Sequence, residues 1–556
     1  MTTATRAARK GQHTHRADTP AASPLTGLGS LIRLYGRLCR RQIIIWTLAM
    51  LVMVPASVIA MDDAYPDQEA LDARAMLLDN PSAVMMTGPA FAQDDYTFWA
   101  MVANELMLYV LIAVAIMSVL MMVRLTRAEE EAGRLELIRS LPTGRLAPPT
   151  AGLLIVATAN LLVGLAVTVG VLAVDGPAVG SLALGAATAL TGMVFAAIAL
   201  VTAQLTEHSG TASGLALGAL ALAFMVRGVG DVIERQGSWL SWFSPFAWAQ
   251  QTRVYVDLRW WPLTVSLAVI VAGLVIAGAL SRRRDVGAGL RPASAGPEQA
   301  SSVLLAPGGL AGRLVTPMML AWAIGLSLFA TAFGALASSL DDMVADMPAV
   351  PAVSEWAPID LDDLTTSFAA FVLMMLALGP IGLVVAGVLR LRTEEQEGRL
   401  AGALLAGSSR TRIALLWLLV VALEAFVVQV LLGLGVGLGV WQATGEPRWV
   451  GEMTAASLAY LPAIALFAAL ALALYGLRLR LAGLAWALML WTSIVTLLGD
   501  LLGLPDWARS ISPLHHVPLA PDAEVEAWPL IVMGVLAVLL SVIGLLGLRR
   551  RDMVAG

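Results

Sequence analysis

Twelve stretches of about twenty mostly apolar residues run along this 556-residue chain, and they decide its solvent before its fold. They lie near 42–60, 98–123, 150–174, 178–204, 212–230 and 262–280, then near 317–339, 366–389, 412–440, 451–474, 482–503 and 529–548. A helix of that length crosses the roughly 30 Å of hydrocarbon in a bilayer. With 58% hydrophobic and only 13% charged residues, a soluble core could not enclose so much apolar surface. Connectors as short as Asp175-Gly176-Pro177 make neighbouring helices antiparallel. The expected fold class is an all-α polytopic membrane protein with twelve transmembrane helices.

Arginine placement orients such a chain. Arg124, Arg127, Arg134, Arg139 and Arg145 follow the second stretch, Arg282, Arg283 and Arg284 the sixth, and Arg549, Arg550 and Arg551 the twelfth. Alternate loops are acidic: 61–97 holds Asp62, Asp63, Asp67, Glu69, Asp72, Asp79, Asp94 and Asp95 against Arg74, and 340–365 holds acidic residues and no basic one. Both termini are expected in the cytosol. Residues 1–24 read as a disordered cytosolic tail. Residues 25–41 interleave Leu28, Leu31, Ile32, Leu34, Tyr35 and Leu38 with arginines, the pattern of an interfacial helix lying along the inner leaflet. The Gly-, Pro-, Ala- and Ser-rich stretch 285–312 reads as a flexible linker.

The halves on either side of that linker repeat one another. Residues 127–135 read Arg-Ala-Glu-Glu-Glu-Ala-Gly-Arg-Leu, and 392–400 read Arg-Thr-Glu-Glu-Gln-Glu-Gly-Arg-Leu. These cassettes sit in corresponding loops, 124–149 and 390–411. A second pair follows the fifth stretch of each half: 239–248 contains Ser244-Pro245, and 507–516 contains Ser512-Pro513, each preceded by Gly-Asp (Gly230-Asp231; Gly499-Asp500). The expectation is two fused parallel six-helix repeats, 25–284 and 313–556, forming a pseudo-dimer about an axis along the membrane normal.

Drawn as one helix, each cassette offers i,i+4 pairs: Arg127–Glu131 and Glu130–Arg134 in the first, Glu395–Arg399 in the second. Leu135 and Ile138, echoed by Leu400 and Leu404, form a small apolar ridge, and Gly133 and Gly398 allow a bend. A single copy reads equally well as a solvated, salt-bridged loop. Retention of the order in both halves favours a docking helix for a cytosolic partner. Lys10 is the only lysine, so no Walker A loop can form, and this chain is not expected to hydrolyse ATP by P-loop chemistry.

The Glu-Glu-x-x-Gly-Arg order followed by a turn with an arginine (Leu141-Pro142-Thr143-Gly144-Arg145; Ala406-Gly407-Ser408-Ser409-Arg410) resembles the coupling loop of ATP-binding-cassette exporter permeases. The whole arrangement, with its acidic first outer loop and Ser-Pro-Phe-x-Trp motif, is similar to actinobacterial exporters of polyketide antibiotics, the tetronasin-type permeases. The resemblance implies a permease of the bacterial cytoplasmic membrane, exporting hydrophobic compounds. It implies two copies of a cytosolic P-loop ATPase as partners, with ATP and Mg on that partner and no cofactor in this chain. It assigns Glu129, Glu130, Gly133 and Arg134, with Glu394, Glu395, Gly398 and Arg399, to the ATPase contacts. Glu131 is replaced by Gln396 and Pro142 by Gly407, so the two docking surfaces need not be equivalent.

Polar residues inside the stretches are candidates for a substrate path. Glu424 falls near mid-bilayer, where a charge costs about 3 kcal/mol, with Gln429 beyond it, Glu105 in the second stretch and Arg227 in the fifth. Each can equally be paired locally. Ser244, Pro245, Trp248, Ser512 and Pro513 are an aromatic-anchored outer turn or, on the resemblance, an outer gate. His515 and His516 have no third ligand spaced with them, and Ser512 with His515 lacks a triad's setting, so neither a metal nor a catalytic site is expected. One cysteine, Cys39, excludes an internal disulfide, and the scattered basic residues exclude nucleic-acid binding. The rival readings are an ion-gradient-driven secondary transporter with twelve spans and a membrane enzyme or sensor for lipid-linked substrates.

Overall fold

The computed structural model describes residues 23–76, 78, 81–89, 91–234, 236–284, 289–290, 298–305, 308–337, 364–498, 504–523 and 525–551. The tail up to residue 22, residues 285–288, 291–297 and 306–307 of the expected linker, the acidic residues of loop 340–365 and the Gly499-Asp500 pair lie outside them. Among the described residues every regular element is a helix and no strand occurs. Described residues up to Tyr65 and from Thr87 into the linker form one compact unit; Pro66–Met86 and the residues after the linker form the other. The first half expected at 25–284 therefore lacks Pro66–Met86, which clusters with the second unit.

The first unit contains α1 (Leu28–Ala64), α4 (Phe98–Glu105), α5 (Met107–Leu125), α6 (Arg127–Glu131), α7 (Arg134–Arg139), α8 (Ala147–Leu172), α9 (Ala178–Leu205), α10 (Ser209–Ile233), α11 (Pro245–Gln250) and α12 (Pro262–Arg282). The second takes in α2 (Gln68–Met76) and most of α3 (Pro81–Thr87), then α13 (Ser302–Leu305), α14 (Gly309–Gly334), α15 (Leu364–Leu376), α16 (Leu378–Gln396) and α17 (Leu400–Leu405). It continues with α18 (Arg410–Thr444), α19 (Arg448–Ser457), α20 (Leu461–Leu477), α21 (Leu484–Leu498), α22 (Asp506–Arg509) and α23 (Ala527–Arg550). Among the described residues eleven helical segments are long and apolar enough to cross a membrane. The described helix in the expected eleventh stretch, α21, is apolar but has 15 residues, about 22 Å of rise.

One expectation is overturned. The amphipathic lead-in is not a separate interfacial helix, because α1 runs unbroken for 37 residues from Leu28 to Ala64. Its arginines do not interrupt a helix, and its only proline, Pro55, lies far beyond them. The lead-in instead turns Leu31, Tyr35 and Cys39 into the first unit's core. In the second unit the corresponding region is broken: Gly308, at φ 82°, separates α13 from α14.

Without water to drive apolar surfaces together, helices in a bilayer associate through close packing of small residues and internal hydrogen bonds. The Thr168 hydroxyl on α8 donates to the carbonyls of Gly164 (3.0 Å) and of Ser181 on α9 (3.2 Å), while Ser118 on α5 donates to Asn160 on α8 (3.0 Å). In the second unit α20 and α23 cross at Gly476 and Gly544, where a Cβ on Gly544 would stand 2.8 Å from the Leu472 backbone. Gly534, ten residues earlier on α23, has nothing within 4 Å of such a carbon. We predict that Gly544→Ala destabilises the detergent-solubilised protein by about 1–3 kcal/mol through overpacking, whereas Gly534→Ala leaves its thermal midpoint unchanged. Equal midpoints for the two variants would exclude this crossing as a packing constraint.

Candidate functional site

The two cassettes fold into matching elbows. In the first unit α6 ends at Glu131, Gly133 takes φ 69°, and α7 starts at Arg134. In the second unit α16 ends at Gln396, Gly398 takes φ 71°, and α17 starts at Leu400. A left-handed residue stops a right-handed helix, and glycine enters that region without a Cβ penalty. The bend shifts the ion pairing away from the i,i+4 register expected of a continuous helix. Arg134 reaches back five residues, its Nε and Nη2 donating to Oε2 and Oε1 of Glu129 at 2.8 Å each. Arg399 forks onto Glu394 in the same way, at 2.6 and 2.8 Å. Hydrogen bonding to Glu129 raises the Arg134 pKa, so this guanidinium remains charged.

The middle glutamates, Glu130 and Glu395, which the resemblance assigns to the ATPase contacts, instead point inward, so they hold the elbow from within rather than meeting a partner. Glu130, with its side chain 10% exposed, accepts from Arg127 at 2.5 Å and from Arg284, just past α12, at 2.9 Å. Arg284 also donates to Gln204 on α9 at 2.8 Å. Glu395, with its side chain 0% exposed, accepts from Arg551, just past α23, at 2.6 Å and from the Tyr475 hydroxyl on α20. Arg410 donates to the Arg551 carbonyl at 2.7 Å. The elbows differ at the third glutamate. Glu131 accepts from the Ser209 backbone N–H (2.9 Å) and hydroxyl (2.5 Å) at the start of α10 and sits 3.2 Å from His208, whereas its counterpart is Gln396.

The apolar ridge is also reset by the bend. Leu135 and Leu400 are buried, Ile138 packs against the core, and Leu404 is half-buried. The exposed leucines are Leu137 (71%) and Leu141 (60%) on one elbow and Leu405 (89%) on the other. In sequence they follow the half-exposed fork arginines, Leu137 and Leu141 after Arg134 and Leu405 after Arg399.

The remaining candidates are dispersed. Glu105 ends α4, immediately before the break at Leu106. Arg227 is wholly buried and pairs with Asp231 at 3.4 Å, and Asp231 accepts from Ser241 at 2.6 Å. This ties α10 to the turn carrying Ser244 and Pro245. Glu424 on α18 accepts a hydrogen bond from Thr316 on α14. Gln429 is fully buried, donating to the Ser457 carbonyl at 2.8 Å while the Ser457 hydroxyl donates to the Gln429 carbonyl at 3.1 Å. Ser244 caps α11 through the Phe246 N–H (3.3 Å), Pro245 is its first residue, and buried Trp248 donates to the Trp242 carbonyl at 2.7 Å. Ser512 is buried, with no hydrogen bond to its hydroxyl among the described residues, and Pro513 opens a single 3₁₀ turn, Pro513–His516.

Sequence reasoning missed Arg284, Arg551 and Tyr475 as members of the elbows. The available signal was the arginine triplet closing each half, read above only as a marker of orientation. For the glycine turns we predict that Gly133→Ala and Gly398→Ala each cost about 1–2 kcal/mol. The space around both is open, so backbone strain is the only penalty. Gly→Asn should recover part of the loss in thermal-unfolding measurements, and an alanine variant as stable as the parent would refute the left-handed assignment.

Comparison with known proteins follows this architecture. The chain matches the family model described as "Multidrug efflux system permease Rv1217c, C-terminal domain" over residues 28–283 and 304–549. It is 35% identical over 550 residues to the multidrug efflux system permease protein Rv1217c of Mycobacterium tuberculosis, covering 97% of each chain. A match of that extent and identity shows kinship along the whole membrane domain. The chain belongs to the Rv1217c family of multidrug efflux system permeases.

Proposed function

We propose that the chain is the membrane-spanning subunit of an ATP-driven exporter of hydrophobic compounds, including polyketide antibiotics and other drugs. In this reading it has twelve spans in two parallel six-helix repeats, lies in the bacterial cytoplasmic membrane and keeps both termini inside. Two copies of a separate P-loop ATPase dock beneath the elbows and hold the ATP and Mg, while this chain carries no catalytic residue. Closure of the ATPases on ATP drives the halves between inward- and outward-open states. A substrate taken from the inner leaflet leaves on the outer side.

The observation that carries the reading is the paired elbow surface: the same glycine turn and arginine fork presented twice, each followed in sequence by exposed leucine. Exposed leucine on a charged turn is an unusual surface that a partner can cover, and the single lysine at position 10 leaves the chain without a P-loop of its own. The family match over 28–283 and 304–549 agrees with a duplicated unit. Arg134 and Arg399 border the docking surface. Gly133 and Gly398 shape it, and Glu129 and Glu394 hold the arginines in place.

The test is capture of the partner. Leu137→Asp and Leu405→Asp substitute highly exposed positions, so stability should change by no more than about 0.5 kcal/mol. We predict that each lowers capture of the co-expressed ATPase at least tenfold, and that the double variant abolishes ATP turnover by the purified complex. Full capture by the double variant would remove the elbows as the docking site. ATP hydrolysis by the permease alone would contradict the division of labour.

A further inference from the structure

We propose that Glu130 and Glu395 are positioning residues that lock each elbow to the helix closing its own unit, so that elbow, closing helix and Ser-Pro turn move as one body. The proposal rests on the reading that the elbows receive the ATPase, and it assigns these two glutamates a different task from the exposed fork.

The geometry is parallel in the two units. Glu130 holds Arg284, two residues past the end of α12, and Arg284 also reaches Gln204 on α9. Glu395 holds Arg551, one residue past the end of α23, and also Tyr475 on α20. In the second unit the carboxylate itself joins the elbow to α23 and to α20, which lies along it; in the first, Glu130 holds Arg284 and Arg284 carries the link on to α9, on which α12 lies. These closing helices contain 21 and 24 residues, rods of roughly 31 and 36 Å. At their far ends, α12 packs on α11, which Pro245 opens, and α23 touches the 3₁₀ turn that Pro513 opens.

Enclosed charges make a stiff joint. Pulling Arg551 from Glu395 would leave a carboxylate that no solvent reaches, so a displacement of the elbow is transmitted to α23 rather than absorbed between them. The forks differ in their cations: Arg134 and Arg399 are 57% and 54% exposed and largely solvated, against 8% for Arg284 and 15% for Arg551. The joint differs between units in one respect. Glu131 adds a tie to the start of α10 through Ser209, so the first elbow is fastened to α10 as well as to α12 and, through Arg284, to α9.

The experiment uses the full permease with its ATPase in proteoliposomes, loaded with a fluorescent lipophilic drug as transport probe. The variants are Glu395→Gln, which keeps the side-chain shape, Arg551→Gln and Arg551→Lys, together with the Glu395→Gln/Arg551→Gln double. The expected result is ATPase capture within twofold of the parent, at least a tenfold loss of drug moved per ATP for the glutamine variants, recovery in Arg551→Lys, and a double no worse than either single. Unchanged drug moved per ATP, or losses that simply add, would overturn the joint. Hydrogen exchange on the permease alone gives a readout that does not depend on docking. Backbone amides at 396–405 and 544–550 should lose protection together in Glu395→Gln, and unchanged protection in either segment would overturn it. If the parent permease captures no ATPase, the docking reading fails and the exchange measurement decides the joint by itself.

Discussion

A carboxylate shut away from water must be met by a cation or by donors of comparable strength, or it does not stay ionised. Glu395 meets that condition with Arg551 and Tyr475, and Glu130 with Arg127 and Arg284. The consequence reaches well beyond the elbow. Each elbow has one admissible position relative to the helix that closes its unit, and the fork, the glycine turn and the exposed leucines all take their placement from it. Glu130 and Glu395 with Arg284 and Arg551 thereby form an inner set that fixes position, and the half-exposed Arg134 and Arg399, held by Glu129 and Glu394, form an outer one.

The same economy of polar groups runs through the membrane-spanning segments. Ser118 with Asn160, Thr168 with Gly164 and Ser181, and the Gln429 amide nitrogen with the Ser457 carbonyl are each hydrogen-bonded between helices or within one. In hydrocarbon such groups find no water, so each hydrogen bond also selects a particular helix partner and rotation. Asp231 acts similarly at the end of α10, where its bonds to Arg227 and Ser241 hold the turn that leads to α11. Arg227 and Gln429, polar residues that stand out in an apolar sequence, are organised as helix latches.

The elbows were legible from sequence because a charged nine-residue pattern inside an apolar chain is conspicuous and occurs twice. Their internal pairing was not. A helical wheel assumes constant rotation per residue, and Gly133 and Gly398 break that assumption, moving the arginine's partner from four residues back to five and turning Leu135 and Leu400 inward. The lead-in failed for a related reason. Alternating arginines and leucines describe which face is polar, but only a break in the backbone separates a surface helix from the span that follows, and α1 has none before Pro55.

Sequence by itself determined the solvent, the all-helical class and the positions of nearly all the long helices, because a bilayer imposes length and apolarity on each segment locally. It also marked Gly133 and Gly398 as positions able to bend and the two Ser-Pro pairs as turns. Tertiary structure alone decided which glutamate meets which arginine, since Glu130 and Arg284 are 154 residues apart and Glu395 and Arg551 are 156 apart. It alone placed Pro66–Met86 with the second unit. Those outcomes depend on packing between distant helices, and no local pattern of residues records it.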